Sequence, residues 1–224
     1  MEMQQFKDLI ATKSADEIEE LAVRIRTLMT YYRCAMYEVE TKFKVLNEEL
    51  SLKHESNPIE SIKTRLKSME SIQEKLIRKN LVPNLSSVEN NIYDIAGVRV
   101  ICSFVDDIYM LADCLLRQDD IKLIKKKDYI KNPKPNGYRS LHLIVEIPIF
   151  LCNEKKFVKV EIQLRTISME AWANLEHRMR YKKILSPELL EKTTNVLLES
   201  ANGSSMIDEK MQEVRDLIES DHLK

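Results

Sequence analysis

The sequence predicts a mixed α/β fold of the α+β kind: a mixed β-sheet flanked by helices, with helical additions at both ends. Three observations carry this. Apolar residues recur at steps of three and four over the first fifty positions. Between Ile59 and Lys183 the apolar period switches back and forth between two and 3.6. From Pro187 the helical period returns. With 224 residues, 44% hydrophobic and 32% charged, the chain can build a core and does not suit a disordered class.

From Asp16 to about Leu52, Ile18, Leu21, Ile25, Leu28, Tyr32, Met36, Val39, Phe43, Leu46 and Leu50 form one helical stripe, and Ser14 with Glu17 resembles a capping box. Tyr32 and Met36 lie on that stripe and read as core. Ser61–Lys79 is predicted as helix. Val98–Phe104 (VRVICSF) is a β-branched run and reads as a buried strand, followed by a helix over Ile108–Arg117. His142–Phe150 and Phe157–Thr166 are predicted strands, and Ser168–Lys182 a helix. Beyond Pro187, two short amphipathic helices are expected, broken at Asn202-Gly203-Ser204-Ser205. The chain thus divides into a helical segment over 1–58, a central unit over 59–183, and helices over 184–224 that could cap the sheet or make an oligomer contact.

Composition also excludes. Lys and Arg number 35 against 36 Asp and Glu, a formal net charge of -1. That removes a whole-surface binder of duplex nucleic acid but leaves room for a local basic patch. The three glycines, Gly97, Gly137 and Gly203, cannot spell a dinucleotide-binding or P-loop motif. Any phosphate must be held largely by side chains. The first residues lack an apolar leader, and no apolar run is long enough to span a bilayer, so a cytoplasmic protein without a membrane partner is expected. Cys34, Cys102, Cys114 and Cys152 form no C-x-x-C pair, which fits a reducing compartment, and no Cys/His pair has zinc-ligand spacing.

Three constellations could carry chemistry. In Phe157–Arg165, strand alternation sends Val158, Val160, Ile162 and Leu164 one way and Lys159, Glu161, Gln163 and Arg165 the other. The plain reading is a half-solvated strand with a salt-bridge ladder. The stretch from Lys122 to Arg139 is rich in Lys, with Asp128 its one acid, and two prolines with Asn136-Gly137 predict a loop. Tyr138 gives that basic loop a ring, and cations beside a ring suit phosphates beside a base. Asp94 stands at the entry to an apolar strand that contains Arg99. A carboxylate there can hold a metal, and an Arg there can bind phosphate or stack, although a turn Asp and a surface Arg explain the pattern as well.

The segments RLKSMESIQEKL (Arg65–Leu76), YDIAGVRVI (Tyr93–Ile101), KNPKPNGYRSLHLIV (Lys131–Val145), VEIQLRT (Val160–Thr166) and WANLEHRMRYK (Trp172–Lys182) occur in this order. In them the chain resembles the synthetase domain of the RelA/SpoT homologue family, which makes the alarmones ppGpp and pppGpp. The likeness covers about Ile59 to Lys183. Nothing in the 224 residues resembles the hydrolase and regulatory domains of the long members, so a stand-alone small synthetase is expected. IKTRLKSMESI looks closer to the RelP kind than to RelQ, because Ser61, Lys63 and Thr64 replace the aromatic and Thr-Gly that serve allosteric alarmone binding in RelQ.

The resemblance implies a nucleotidyltransferase-like fold and a reaction: transfer of pyrophosphate from ATP to the 3′-hydroxyl of GTP or GDP, releasing AMP. It implies Mg²⁺ as cofactor, with Asp94 as its ligand and Glu161 assisting the metal and serving as general base. The ATP side falls to Arg65, Lys67, Ser71, Lys75 and Arg99, with Arg65 and Arg99 sandwiching adenine and the others meeting phosphates. The acceptor side falls to Tyr138, stacking on guanine, with Lys134 and His142 near phosphates and Gln163 and His177 at matching positions. Glu170 stands where the family has Asn or Asp, and could accept from guanine N1–H and the 2-amino group. A homotetramer is implied by the small members. Two alternatives stay open: a toxin-like relative acting on adenine nucleotides or tRNA, and a non-catalytic regulator binding nucleotides or RNA through the basic loop. The retention of both carboxylates speaks against the second.

Overall fold

The computed structural model describes residues 14–52, 57–180 and 186–222. The residues read above for a leader, and the end of the predicted helix at Tyr181 and Lys182, lie outside them. Helix α1 (Ala15–Ser51) runs unbroken. Its capping box is present: Ser14 Oγ accepts from the Glu17 amide at 3.3 Å, and the Glu17 carboxylate accepts from the Ser14 amide at 2.8 Å. There follow β1 (Ile59–Leu66), α2 (Met69–Arg78), α3 (Leu85–Asn91), β2 (Ala96–Cys102), α4 (Val105–Leu116), β3 (Lys122–Asp128), β4 (Leu141–Phe150), β5 (Lys155–Thr166), α5 (Ile167–Arg180) and α6 (Pro187–His222).

The strands form one sheet in the order β1-β2-β5-β4-β3, with β2 and β5 parallel and every other pair antiparallel. One face is apolar. Tyr32, Ala35, Val39 and Phe43 of α1 share a single buried cluster with Ile108, Leu111 and Leu115 of α4 and with Val98, Val100, Val160, Ile162 and Leu164 of the sheet. The alternation expected in β5 is therefore real, and its polar side faces away from this core. The mixed sheet with flanking helices matches the predicted fold class. No helix among the described residues is long and apolar enough to cross a membrane.

Three expectations about elements are corrected, and one helix lies where none was expected. Ser61–Lys79 is not one helix: a strand, β1, precedes α2. The register of β1 against β2 shifts between Ile59 and Ser61, and this bulge spaces Ile59, Ile62 and Leu66 at three and four, which imitates a helix. The helix α3 escapes the sequence pattern because LSSVENN buries only Val88 and has no stripe; Asn84 caps it, accepting from the Ser87 amide at 2.7 Å. The Lys122–Arg139 stretch is loop only from Tyr129. Its first part is the edge strand β3, exposed over Lys122–Lys127, where lysines suit an unpaired sheet edge. Finally, α6 passes straight through Asn202-Gly203-Ser204-Ser205. Tertiary contacts described below override the local preference for a break.

Candidate active site

The polar face of the sheet is ordered by register. Cross-strand pairing sets Lys63, Arg99, Gln163, His142 and Lys127 side by side across all five strands. The next row holds Arg65, Gly97 and Glu161. Residues directly opposite on one face have neighbouring side chains, so two strings of polar groups become two lines across one surface. Gly97 has no side chain, and the floor between Arg65 and Glu161 stays open. A cleft of about 270 Å³ results, lined by Lys63, Arg65, Lys67, Asp94, Gly97, Arg99, Glu161 and Gln163 among others.

Asp94 lies just before β2. Its Oδ2 accepts from Lys75 Nζ at 2.7 Å and from Lys67 Nζ at 3.1 Å. Burial pulls its pKa up, but Lys75 and then Lys67 outweigh burial and hold the carboxyl below its ordinary value. Its Oδ1 is buried and has no hydrogen-bond partner among the described residues. Lys67 follows β1, and its amide donates to the Ile95 carbonyl at 2.8 Å, which ties the end of β1 to the entry of β2. Ser68 caps α2 through the Ser71 amide at 3.3 Å and also donates to Ser71 Oγ at 3.2 Å. Ser71 and Lys75 share one face of that helix.

Glu161 accepts from Gln163 Nε2 at 2.9 Å, and its Oε1 lies 3.6 Å from His142 Nδ1. Burial raises its pKa, but the His142 and Gln163 contacts prevail over burial and over the Asp94 charge, and Glu161 is held below the ordinary range. His142 is held below its ordinary value first by burial, with Arg165 and Lys134 adding repulsion against the opposing pull of Glu161. It is therefore neutral at pH 7. Its Nε2 lies 2.8 Å from Tyr138 Oη, and Arg165 Nη2 donates to that same oxygen. With Arg165 donating, the phenol proton points to His142 Nε2, which leaves the ring proton on Nδ1, facing Glu161.

Arg165 and Glu170 form the buried hub of the site. Arg165 Nη1 donates to Glu170 Oε2 at 2.8 Å and its Nη2 to Gln163 Oε1 at 3.2 Å. Glu170 Oε1 accepts from Lys63 at 3.1 Å, Arg99 at 3.2 Å and Asn174 at 3.1 Å. Burial raises the Glu170 pKa, but Arg99, Lys63, Arg165 and Asn174 together bring it below the ordinary value. Tyr138 sits in the loop before β4, with Lys134 Nζ 4.7 Å and Arg165 Cζ 5.0 Å from its ring centroid. Lys134 itself turns tightly: its carbonyl accepts from the Gly137 amide at 2.8 Å and its amide donates to the Tyr138 carbonyl at 3.2 Å.

The fold thus gathers Arg65, Lys67, Arg99, Asp94, Glu161 and Gln163 in one cleft, brings Lys75 to Asp94, and joins His142, Tyr138 and Glu170 to the same polar surface. Ser71 stands on α2 beside the cap. His177 lies about two turns beyond Glu170 on α5 and is exposed. Two participants escape the sequence reading. There Lys63 stands only for a missing RelQ feature, and Arg165 only for the end of an alternating row. The available signal is an Arg on a strand that continues into a helix, where a long side chain must be buried or paired.

Residues 64–185 match the family described as a region found in RelA / SpoT proteins. The chain is 44% identical over 196 residues to the GTP pyrophosphokinase YwaC of Bacillus subtilis, spanning 88% of this chain and 92% of that protein. Among solved structures it is similar to the Bacillus subtilis small alarmone synthetase 1 bound to its product pppGpp, with TM-score 0.78 and 35% identity over 87% of this chain and 98% of the other. The same synthetase bound to AMPCPP gives TM-score 0.72 and 32% identity over 88% and 98%.

Proposed function

The chain belongs to the RelA/SpoT family, and we propose that it is a GTP pyrophosphokinase. It transfers the β,γ-pyrophosphate of ATP to the 3′-hydroxyl of GTP or GDP, making pppGpp or ppGpp and releasing AMP. The observation that carries this is the cleft in which two carboxylates held ionised, Asp94 and Glu161, meet a row of cations on one sheet face. YwaC and the pppGpp-bound and AMPCPP-bound synthetase support the reading.

The 3′-oxygen attacks the β-phosphorus of ATP, the bond from that phosphorus to the α–β bridging oxygen breaks, and AMP leaves with the electron pair. Glu161 takes the hydroxyl proton, and the His142 Nδ1–H and Gln163 amide orient its carboxylate. Arg65 and Arg99 hold adenine between guanidinium planes, while Lys67, Lys75 and Ser71 meet the ATP phosphates. Tyr138 stacks on the acceptor base. Lys134 serves its phosphates, and Gln163 and His177 complete that side. Glu170, with both oxygens engaged by protein donors, is better placed to brace Arg99 and Arg165 than to read guanine.

The partnerless buried Oδ1 of Asp94, with Glu161 in the same cleft, fits a divalent ion that takes few protein ligands. Asp94 and Glu161 would hold Mg²⁺, which when bound neutralises charge developing on the phosphates. The catalytic unit is 59–183. The exposed apolar side chains of α6, among them Val196, Met211 and Leu217, support a homotetramer. Four unpaired cysteines support a reducing cytoplasm.

The test is incubation of the protein and Mg²⁺ with ATP labelled at the γ-phosphate and GDP, GTP, ATP or tRNA in turn. Label in guanosine tetra- and pentaphosphate, with AMP in equal amount, is expected. Label carried only to ATP or tRNA overturns the acceptor, and no transfer at all overturns the activity.

A further inference from the structure

We infer that the C-terminal helix α6 is the brace that shapes the acceptor loop, and that Arg139, Asn202 and Asp208 are positioning residues for the acceptor nucleotide. The inference rests on the reading of the loop around Tyr138 as the acceptor side.

The loop does not set its shape alone. Within the loop the Tyr129 amide donates to the Ser140 carbonyl at 3.0 Å, and the Lys134–Gly137 turn and the Asn136 Oδ1, which accepts from the Tyr138 amide at 3.2 Å, hold its tip. Outward, the Tyr138 hydroxyl is tied to His142 and Arg165 of the sheet, and other ties run to α5 and α6. Asn136 Nδ2 donates to Glu176 Oε1 on α5 at 3.3 Å. Arg139 Nη1 donates both to the loop carbonyl of Gly137 and to the helix carbonyl of Ala201, each at 3.2 Å, and Nη2 donates to Asn202 Oδ1 at 3.2 Å. One guanidinium therefore fastens loop to helix at two points. Tyr138 also packs on the small buried cluster of Trp172, Ala173, Leu197 and Ala201, where Trp172 Nε1 donates to the Leu197 carbonyl at 3.1 Å.

The approach is close. A Cβ on Gly137, whose φ is +90°, would lie 2.4 Å from the Ala201 Cβ and 3.4 Å from the Leu198 Cα. This explains the small Ala201, and Ser204 and Ser205 line the same crevice beside Gly137. The run from Ala201 to Ser205 weakens the helix but presents a low surface against which backbone can lie. About two turns on, Asp208 Oδ2 accepts from Thr166 Oγ1 at 2.7 Å, and that hydroxyl accepts from the Met169 amide at 3.1 Å. Thr166 thereby caps α5 one turn before Glu170. The same helix therefore touches the loop that holds the stacking ring and the cap of the helix that holds the Arg165 partner. Gln212 Nε2 to Asp106 Oδ2 at 2.6 Å, with Arg215 on Asp106 and Asp107, anchors it further along to α4. Arg139, Asn202 and Asp208 act on bound nucleotide only through Gly137, Tyr138 and Thr166.

The experiment compares Arg139→Ala, Asn202→Ala, Asp208→Leu and Asp208→Asn in the full chain, with Tyr138→Ala as reference. It measures KM for ATP, KM for the guanine acceptor, and the unfolding midpoint. The first three should raise the acceptor KM about three- to thirtyfold and leave the ATP KM within about twofold, as loss of one or two charge-assisted hydrogen bonds predicts. Asp208→Asn keeps an acceptor for Thr166 and should stay near the parent. Asn202 is exposed, so Asn202→Ala remains informative even if Asp208→Leu does not fold. An unchanged acceptor KM in Arg139→Ala and Asn202→Ala, beside a raised one in Tyr138→Ala, overturns the brace. So does a parallel rise of both KM values with a fallen midpoint. If Tyr138→Ala leaves the acceptor KM unchanged, the acceptor-loop reading falls and the brace with it.

Discussion

The two halves of the cleft are built by different means. On the half assigned to ATP, most side chains stand on strands or on a helix packed beside them. Lys63 opposes Arg99, Arg65 opposes Gly97, and Lys67 is tied by its amide to Ile95. Strand register and one backbone tie place these groups. In the half assigned to the acceptor, His142 and Gln163 stand on the sheet, but Lys134 and Tyr138 hang on the loop between β3 and β4, where Arg139 meets a helix carbonyl 62 positions further along the chain. Position in the first half is a property of the sheet. In the second it depends on a helix outside the matched region of residues 64–185. The carboxylates lie where the sheet alone supports them, and the stacking ring where support is borrowed.

The largest effect should come from the sheet-built half. Asp94→Asn should abolish synthesis with the fold intact, because it removes a charge at nearly constant volume. Glu161→Gln should lose roughly two to four orders of magnitude in turnover, the range for removing a general base, with both nucleotides still bound. Product formation and nucleotide titration on the same samples check this. Near-normal turnover in Asp94→Asn would break the assignment of the cleft.

Next comes Gly137→Ala, which strikes the borrowed half. The substitution strains a φ of +90° and drives a Cβ into Ala201. Together these should lower stability by about 1–3 kcal/mol and raise the acceptor KM while sparing the ATP KM. A denaturant titration beside steady-state kinetics measures both. A variant as stable as the parent would mean that loop and helix separate freely.

A smaller effect sharpens the boundary between the halves, where Glu170 joins Arg99 to Arg165. Its pKa is depressed in the folded chain, although burial alone would raise it. A depressed carboxyl contributes stability that is present above the unfolded value and is lost as pH falls through the folded one. Stability should therefore fall as pH drops below the ordinary glutamate value, about 4.3. Glu170→Gln should flatten that acid limb while lowering stability at neutral pH, because Arg165 loses a buried anion. Equal acid slopes in the two proteins would show that Glu170 is not held ionised by these cations.

The same contrast explains what is legible without coordinates. The apolar side of β5 and the long stripe of α1 are legible because period two and period 3.6 record burial directly. The gathering of Asp94, Arg99, Glu161 and Gln163 is legible only through the family resemblance, since the strand pattern alone reads Asp94 as a turn residue and β5 as a salt-bridge ladder. β1 is hidden by a bulge that changes its spacing, and β3 by having no buried side. The unbroken α6 is hidden more deeply. Asn202-Gly203-Ser204-Ser205 is locally a break, and contacts from Arg139, Gly137, Thr166 and Trp172, all distant in sequence, hold the helix on either side of it. Arg165 is visible as a cation but not as the partner of Glu170, because no spacing rule places a strand residue against the first turn of the next helix.

The smallest effect tests whether that low surface is needed at every position. Gly203 lies inside α6, and a Cβ built there meets nothing within 4 Å. It needs no glycine for contact, unlike Gly137, and the helix contains it at a cost in backbone entropy. Gly203→Ala should therefore stabilise the protein by about 0.5–1 kcal/mol. Because Arg139 reaches Ala201 and Asn202 on the preceding positions, the acceptor KM should not change. A raised unfolding midpoint with unaltered kinetics fits a rigid brace, since stiffening a rod that is already straight moves nothing attached to it. If Gly203→Ala instead raised the acceptor KM, α6 would have to bend at Gly203 for the acceptor to enter. The second half of the cleft would then differ from the first in being hinged as well as borrowed.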